Sequence, residues 1–257
     1  MISSGKLAPE ASGNPFRHQR MKALAALAAD YDQCRIVDLG GTAAFWEAWA
    51  HLFDWSRTHV TCINTVPDVA TSGRVTMVKG DATELFDYPP DSFDIAFSNS
   101  LIEHLPRHRR RYFAEHIGRV ARSYFIQTPD FWFPIESHAR MPLIHWLPRW
   151  IAETIVMTVK CGYLPKATSR ADARRILNDA DLLTAKKMRR LFPDAEIRHE
   201  RFMGLSKALV AVRHLPTQPA AAEPLSFRYA AVPAPPSVRM ISEPIAAMTA
   251  PSGVPAQ

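Results

Sequence analysis

From residue 34 onward the chain repeats one pattern: a short, nearly unbroken apolar run, a polar turn, then a stretch whose apolar residues recur every three or four positions. The apolar runs are "CRIVDL", "HVTCIN", "RVTMVKG", "FDIAFSN" and "SYFIQTP". Runs that do not alternate with polar residues predict strands buried on both faces, the habit of a parallel sheet covered by helices. Helical spacing predicts helices over 44–53 and 107–122 between them, and a first helix after Asn14 and Pro15, a good cap and first-turn pair. In that first helix Met21, Leu24, Leu27 and Ala28 form one stripe. Strand, helix, strand in this order predicts an α/β, Rossmann-like doubly wound fold with a mainly parallel sheet.

The alternation stops between residues 131 and 183, a long helical insertion after the fifth strand. "TAKKMRRLF" then reads as a helix capped by Thr184, and "AEIRHERFMGLSKALVAVRHL" as two more strands reversing near Gly204. Seven strands result, the last two forming an antiparallel hairpin at the sheet edge. From Pro216 the sequence turns to Pro and Ala without periodicity, so 216–257 is expected to be a disordered tail and 1–13 a flexible start. The expected domain is 14–215, with the insertion at about 131–183 acting as a lid over the site.

Composition narrows the function less than the pattern does. At 257 residues and 47% hydrophobic content, one large domain is the natural size. Its three cysteines, Cys34, Cys62 and Cys161, are isolated, which argues against a disulfide framework or a zinc cluster. No apolar run reaches the roughly 18 residues of a membrane span, and the first residues lack the apolar core of a signal peptide, so a cytoplasmic location is expected. The net charge of +6 permits anionic partners without naming one. In the basic run "PRHRRRYF", Arg107, Arg110 and Arg111 are expected on a solvated face, with Tyr112, Phe113 and Ile117 inward. No nucleic-acid-binding motif accompanies it, and no nucleic acid partner is expected.

The chemistry begins at "CRIVDLGGTAAFW", a strand running into a glycine turn and a helix. Gly40 and Gly41 let the backbone bend sharply and approach a ligand. A dinucleotide site would need later glycines where Thr42, Ala43 and Ala44 stand. Asp38, at the strand's end, would repel a phosphate and suit a cation. S-adenosylmethionine fits that description, with an ammonium, a sulfonium and an adenosine but no phosphate.

At these residues the sequence resembles the class I S-adenosylmethionine-dependent methyltransferases, type 11 group, over about residues 35–213. The family's first motif stands as "DLGGT", with Thr42 in place of its second glycine; its adenine-binding element as "KGDATEL", with Asp81 and Ala82 facing the adenine; its fourth motif as "PPDSFDIAFSNSLIEHL". The acidic residue that usually ends the second strand and holds the ribose is Asn64 here. The resemblance implies that Asp38, Gly40, Gly41, Thr42, Asn64, Asp81, Ala82, Ser98 and Asn99 contact the cofactor.

Methyl transfer needs alignment of acceptor, methyl carbon and sulfur, and loss of a proton when the acceptor is a hydroxyl. Glu103, His104, Glu136 and His138, from "SNSLIEHL" and "TPDFWFPIESH", are the candidates to converge over the methyl group. They read as a general base held by a carboxylate, or as caps and braces for the neighbouring elements. A metal is not expected, because the metal-using relatives have a carboxylate three residues before the Glu, where Ser100 stands. The insertion's Phe131, Trp132, Phe133, His145, Trp146 and Trp150 give aromatic walls without selecting a substrate class. The expected activity is methyl transfer to oxygen of a small-molecule, glycan-precursor or lipid-linked acceptor. A peripheral contact with the inner membrane surface through 141–159 belongs to the lipid-linked reading. The rival reading is a non-catalytic cofactor- or partner-binding module that keeps the fold. Neither the acceptor nor the oligomeric state can be read from the sequence.

Overall fold

The computed structural model describes residues 14–66, 73–136, 138–162 and 166–215. The expected flexible start at 1–13 and the expected tail at 216–257 lie outside the described residues. Seven strands form one sheet in the order β3-β2-β1-β4-β5-β7-β6. They are β1 (Cys34–Leu39), β2 (Thr58–Asn64), β3 (Val75–Lys79), β4 (Phe93–Asn99), β5 (Ala121–Pro129), β6 (Glu196–Phe202) and β7 (Leu205–Arg213). The first five run parallel and β7 pairs antiparallel with β5 and with β6. Strand order reverses between β1 and β4, so their C-terminal ends border the crevice where such sheets take ligands.

Helices cover both faces because the strands are apolar on both. On one face α1 (Pro15–Ala29) and α2 (Ala43–Ala48) bury Met21, Leu24 and Trp46 against Ile36, Ile95 and Phe97. On the other, α3 (Arg110–Val120) and α6 (Ala185–Leu191) bury Phe113, Ile117 and Met188 against Val37, Ala96 and Ile126. The Asn14 side chain accepts from the amides of Phe16 and Arg17 at 3.0 and 3.3 Å, and Thr184 accepts from that of Lys187 at 3.3 Å, so both expected caps form. The reversal between β6 and β7 is made by Met203 and Gly204, both at positive φ.

Two expected helices differ in extent. Over 44–53 the chain forms α2 and then a separate 3-10 turn, Ala50–Leu52. Over 107–122, α3 starts at Arg110 and passes directly into β5 at Ala121. Arg110 is buried rather than exposed, because it lies three residues before Phe113 on the inward stripe and finds carbonyls there. Its guanidinium donates to the oxygens of Leu105, Glu103 and Asp181 at 3.0, 3.1 and 2.8 Å. Tyr112, expected inward, is 54% exposed, since the adjacent Phe113 takes the core position.

The insertion has its own apolar cluster. There α4 (Arg149–Thr158) and α5 (Arg170–Asn178) pack around Ile144, Ala152, Val156, Cys161, Ala173 and Ile176. Glu153 is buried between them and accepts from Arg174 at 2.9 Å, which ties α4 to α5. Among the described residues no helix is long and apolar enough to cross a membrane.

Candidate functional site

The glycine turn after β1 is built around two constraints. Gly40 has φ of +86°, and a Cβ there would come within 3.2 Å of Leu101 Cδ1. A Cβ on Gly41 would lie 1.9 Å from Asp38 Oδ2, so only glycine lets the backbone pass over that carboxylate. Thr42 explains its own departure from glycine: its hydroxyl accepts from the Phe45 amide at 3.2 Å and caps α2. Asn64 donates through its amide nitrogen to the oxygens of Gly40 and Gly41, at 3.3 and 3.1 Å. An aspartate could not make those two bonds, so Asn64 braces the turn from the end of β2.

Two of the expected cofactor contacts face inward. Asp38 is 1% exposed and its Oδ2 accepts from the Trp46 indole at 2.8 Å. Burial pushes its pKa up to about 7 against the opposing indole bond. A cation in the crevice therefore does not meet its carboxylate, since the Gly41 backbone lies over it. Ser98 is fully buried and donates to the Leu39 carbonyl at 3.0 Å, which joins β4 to β1 and commits its hydroxyl proton within the sheet.

The other expected contacts stand along the crevice with partners of their own. Asn99 accepts from Arg20 of α1, which also pairs with Glu200 at 2.8 Å. Asp81 accepts from the amide and hydroxyl of Thr83 at 2.8 and 2.7 Å and from Arg109 at 2.9 Å. Burial opposes its charged form, but the Thr83 bonds and the Arg109 charge prevail and hold its pKa below the usual carboxylate range. Ala82 beside it is buried.

The turn after β4 carries the second half of the site. Ser100 sits at φ of +58°, held by its amide on the Gln127 carbonyl and its hydroxyl on the Gln127 side chain, both at 3.0 Å. This bend sends Leu101 back to Gly40 and turns Glu103 and His104 toward the insertion. There they line a cavity of about 580 Å³ with Phe131, Glu136, His138 and His145. The four expected catalytic residues thus meet at one place.

Their geometry is specific. Glu103 is 1% exposed; Oε2 accepts from the Thr128 hydroxyl at 3.0 Å, and Oε1 has no hydrogen-bond partner among the described residues. Burial pushes its pKa up, although the charges of His104 and His138 act against that. His104 donates from Nδ1 to the Asp179 carbonyl at 2.8 Å. His138 Nδ1 lies 2.7 Å from Glu136 Oε1, and Glu136 Oε2 also accepts from the His138 amide at 2.9 Å and from the Ala139 amide. Burial disfavours both charges of this pair, but their mutual bond outweighs it, lowering the pKa of Glu136 and raising that of His138. The two imidazoles meet edge to face with centroids 4.9 Å apart.

Sequence reasoning missed Arg20, Arg109, Arg110, Thr128 and Asp179. Each acts through a partner more than 20 positions away except where Arg110 meets Glu103 and Leu105. The one available signal was Arg110 itself, a cation on the apolar stripe of its helix.

A sequence model described as a methyltransferase domain matches residues 37–123. No curated protein matches the chain. Among solved structures, the chain is similar to a protein of Anabaena variabilis named as a methyltransferase from an antibiotic biosynthesis pathway. That likeness has a TM-score of 0.45 at 16% identity, over 72% of this chain and 64% of the other. It is also similar to a SAM dependent methyltransferase from Aquifex aeolicus, with TM-score 0.44, 14% identity and coverage of 80% and 98%. An O-methyltransferase family protein from Burkholderia thailandensis gives TM-score 0.44 at 13% identity, over 77% and 56%. The chain thus spans less than two thirds of the first and third of these proteins. Residues 37–123, which match the methyltransferase-domain model, run from β1 into β5 and include both the glycine turn and the Glu103–His104 turn.

Proposed function

We propose that the chain is an S-adenosylmethionine-dependent methyltransferase that alkylates a hydroxyl of a small-molecule or glycan-precursor acceptor. One observation carries this reading: the turn after β4 touches the glycine turn at Leu101 and the cavity at Glu103 and His104, so it joins a donor crevice to an acceptor chamber. The residues fit that donor in backbone and in part of the side-chain set. Leu101 and Asp38 fill the directions in which a Cβ on Gly40 or Gly41 would point, and the bare backbone of the turn would let an adenosyl-methionine chain approach closely from its other side. Asn64, Asp81, Ala82 and Asn99 would hold it, and Asp38 and Ser98 would act from beneath by fixing the turn and the strand pair.

The donor supplies an electrophilic methyl: the acceptor oxygen loses its proton, bonds to that carbon, and the carbon–sulfur pair stays on sulfur as S-adenosylhomocysteine. Glu103, His104, Glu136 and His138 would favour loss of that proton at the cavity floor, and Phe131 and His145 would orient the acceptor's ring or chain. The test is release of S-adenosylhomocysteine with panels of phenols, sugars and nucleotide sugars. Acceptor-dependent release that Glu103→Ala abolishes supports the reading. Release with amine acceptors alone contradicts the oxygen assignment, and donor binding without turnover on any acceptor marks a binding module instead.

A lipid-linked acceptor is the second reading, favoured by Trp132 and Trp150, which are 64% and 67% exposed on the insertion. Residues 141–159 would then rest on the membrane surface. Flotation with anionic vesicles, lost in a Trp132→Glu, Trp150→Glu variant, would support it, and a chain that stays with the soluble fraction would exclude it.

A further inference from the structure

The geometry points to a divalent transition-metal site formed by Glu103, His104 and His138 at the floor of the cavity. One ligand atom from each of the three lies within 4.8 Å of the others. Small side-chain rotations bring such a set to the ~2.0–2.2 Å that nitrogen and carboxylate ligands need.

The surroundings hold these residues as metal ligands are usually held. His104 Nδ1 is engaged by the Asp179 carbonyl at 2.8 Å, and His138 Nδ1 by the Glu136 carboxylate at 2.7 Å. With the proton held on Nδ1, the second ring nitrogen would be the one to bind a cation, and a carboxylate or carbonyl behind the ring would raise its basicity. Glu103 repeats the arrangement: Thr128 occupies Oε2 at 3.0 Å, and Oε1, in a side chain that is 1% exposed, has no hydrogen-bond partner among the described residues. Leaving a buried carboxylate oxygen in that state is unfavourable, and a bound cation would offset the cost. Thr128 thus does for the carboxylate what Asp179 and Glu136 do for the rings.

Two imidazoles and one carboxylate suit zinc, ferrous iron and their neighbours better than magnesium or calcium. Three protein ligands leave positions open, as catalytic rather than structural sites do, and the cavity gives access to them. The set is not the carboxylate pattern that Ser100 interrupts, because its third ligand, His138, comes from the insertion.

The inference rests on the cavity's being the acceptor chamber and assigns its activating group. The acceptor oxygen would take an open position on the cation, its proton would leave to water in the cavity, and the imidazoles would serve as ligands rather than bases.

The test uses the full, untagged chain, stripped with a chelator and titrated with Co²⁺ by visible absorption and with Zn²⁺ by calorimetry. One equivalent is expected, bound at least ten-fold more weakly by His138→Ala and by Glu103→Gln, and about ten-fold more weakly by Glu136→Gln. His59→Ala, at the far end of β2, should bind as wild type does. Near-ultraviolet dichroism checks folding. If Glu103→Gln does not fold, His138→Ala decides alone. A folded wild type that takes up no stoichiometric ion overturns the site, as do variants that bind unchanged. Metal-free protein that methylates as fast as loaded protein overturns the activating role. Loss of donor binding with ion binding intact would instead sink the methyl-transfer reading and leave the site standing.

Discussion

Asp38 shows how one buried residue can carry a measurable pH dependence. Its carboxyl, enclosed by Gly41 and Trp46, titrates near 7 in the fold and near 3.8 when exposed. A raised carboxyl pKa means that the folded state binds the proton more tightly, so stability falls as pH rises from about 4 through 7. Between pH 5 and 8 the wild type should lose ~2–3 kcal/mol from this group. Asp38→Asn keeps an acceptor for the indole and cannot ionise, so its unfolding free energy should lack that part of the slope. Chemical denaturation of both proteins at the two pH values checks this. Parallel slopes would mean the carboxyl is not enclosed. The sequence marked Asp38 as a contact for a cationic cofactor, but its inward direction was not legible. That depends on Trp46, eight positions later, arriving from the next helix with an indole donor.

The same carboxylate makes the glycine turn a coupled element. Gly41→Ala would drive a methyl into Asp38, at about 1–3 kcal/mol for overpacking, and Asp38→Ala would vacate the space. The double variant should therefore be more stable than the sum of the single effects predicts, and additive effects would argue against the contact. Arg110 plays a comparable part between α3, the Glu103–His104 turn and Asp181. Arg110→Met keeps the stem but strands three carbonyls and a carboxylate, and about 3 kcal/mol of stability should be lost. Because it supports the cavity floor, acceptor-dependent turnover should fall further than donor affinity, as paired kinetics and calorimetry would show.

At this scale much was readable: continuous apolar runs gave away the buried strands, and Asn14 and Thr184 marked helix starts because capping is local. What was not readable is non-local. The stripe of α3 carries Arg110 inward but could not reveal what satisfies it there, since its partners include Asp181, 71 residues on.

At the scale of the described residues, one short turn links the glycine turn, at Leu101, to the cavity, at Glu103 and His104. The sheet order puts the ends of β1 and β4 side by side, Ser100 bends the chain at its left-handed φ, and the insertion closes around Glu103 and His104 with an apolar cluster of its own. The sequence suggested that Glu103, His104, Glu136 and His138 converge, because their runs follow adjacent strands β4 and β5. It could not suggest Thr128 and Asp179, which orient them, because nothing in their neighbourhoods marks either one. Calorimetric titration of the purified chain with S-adenosylhomocysteine, alongside Asp81→Ala, tests the central claim most directly. The account predicts one site per chain in the wild type and binding at least ten-fold weaker in the variant. A folded wild type that binds neither this product nor S-adenosylmethionine would contradict it, and so would a variant that binds as tightly as the wild type.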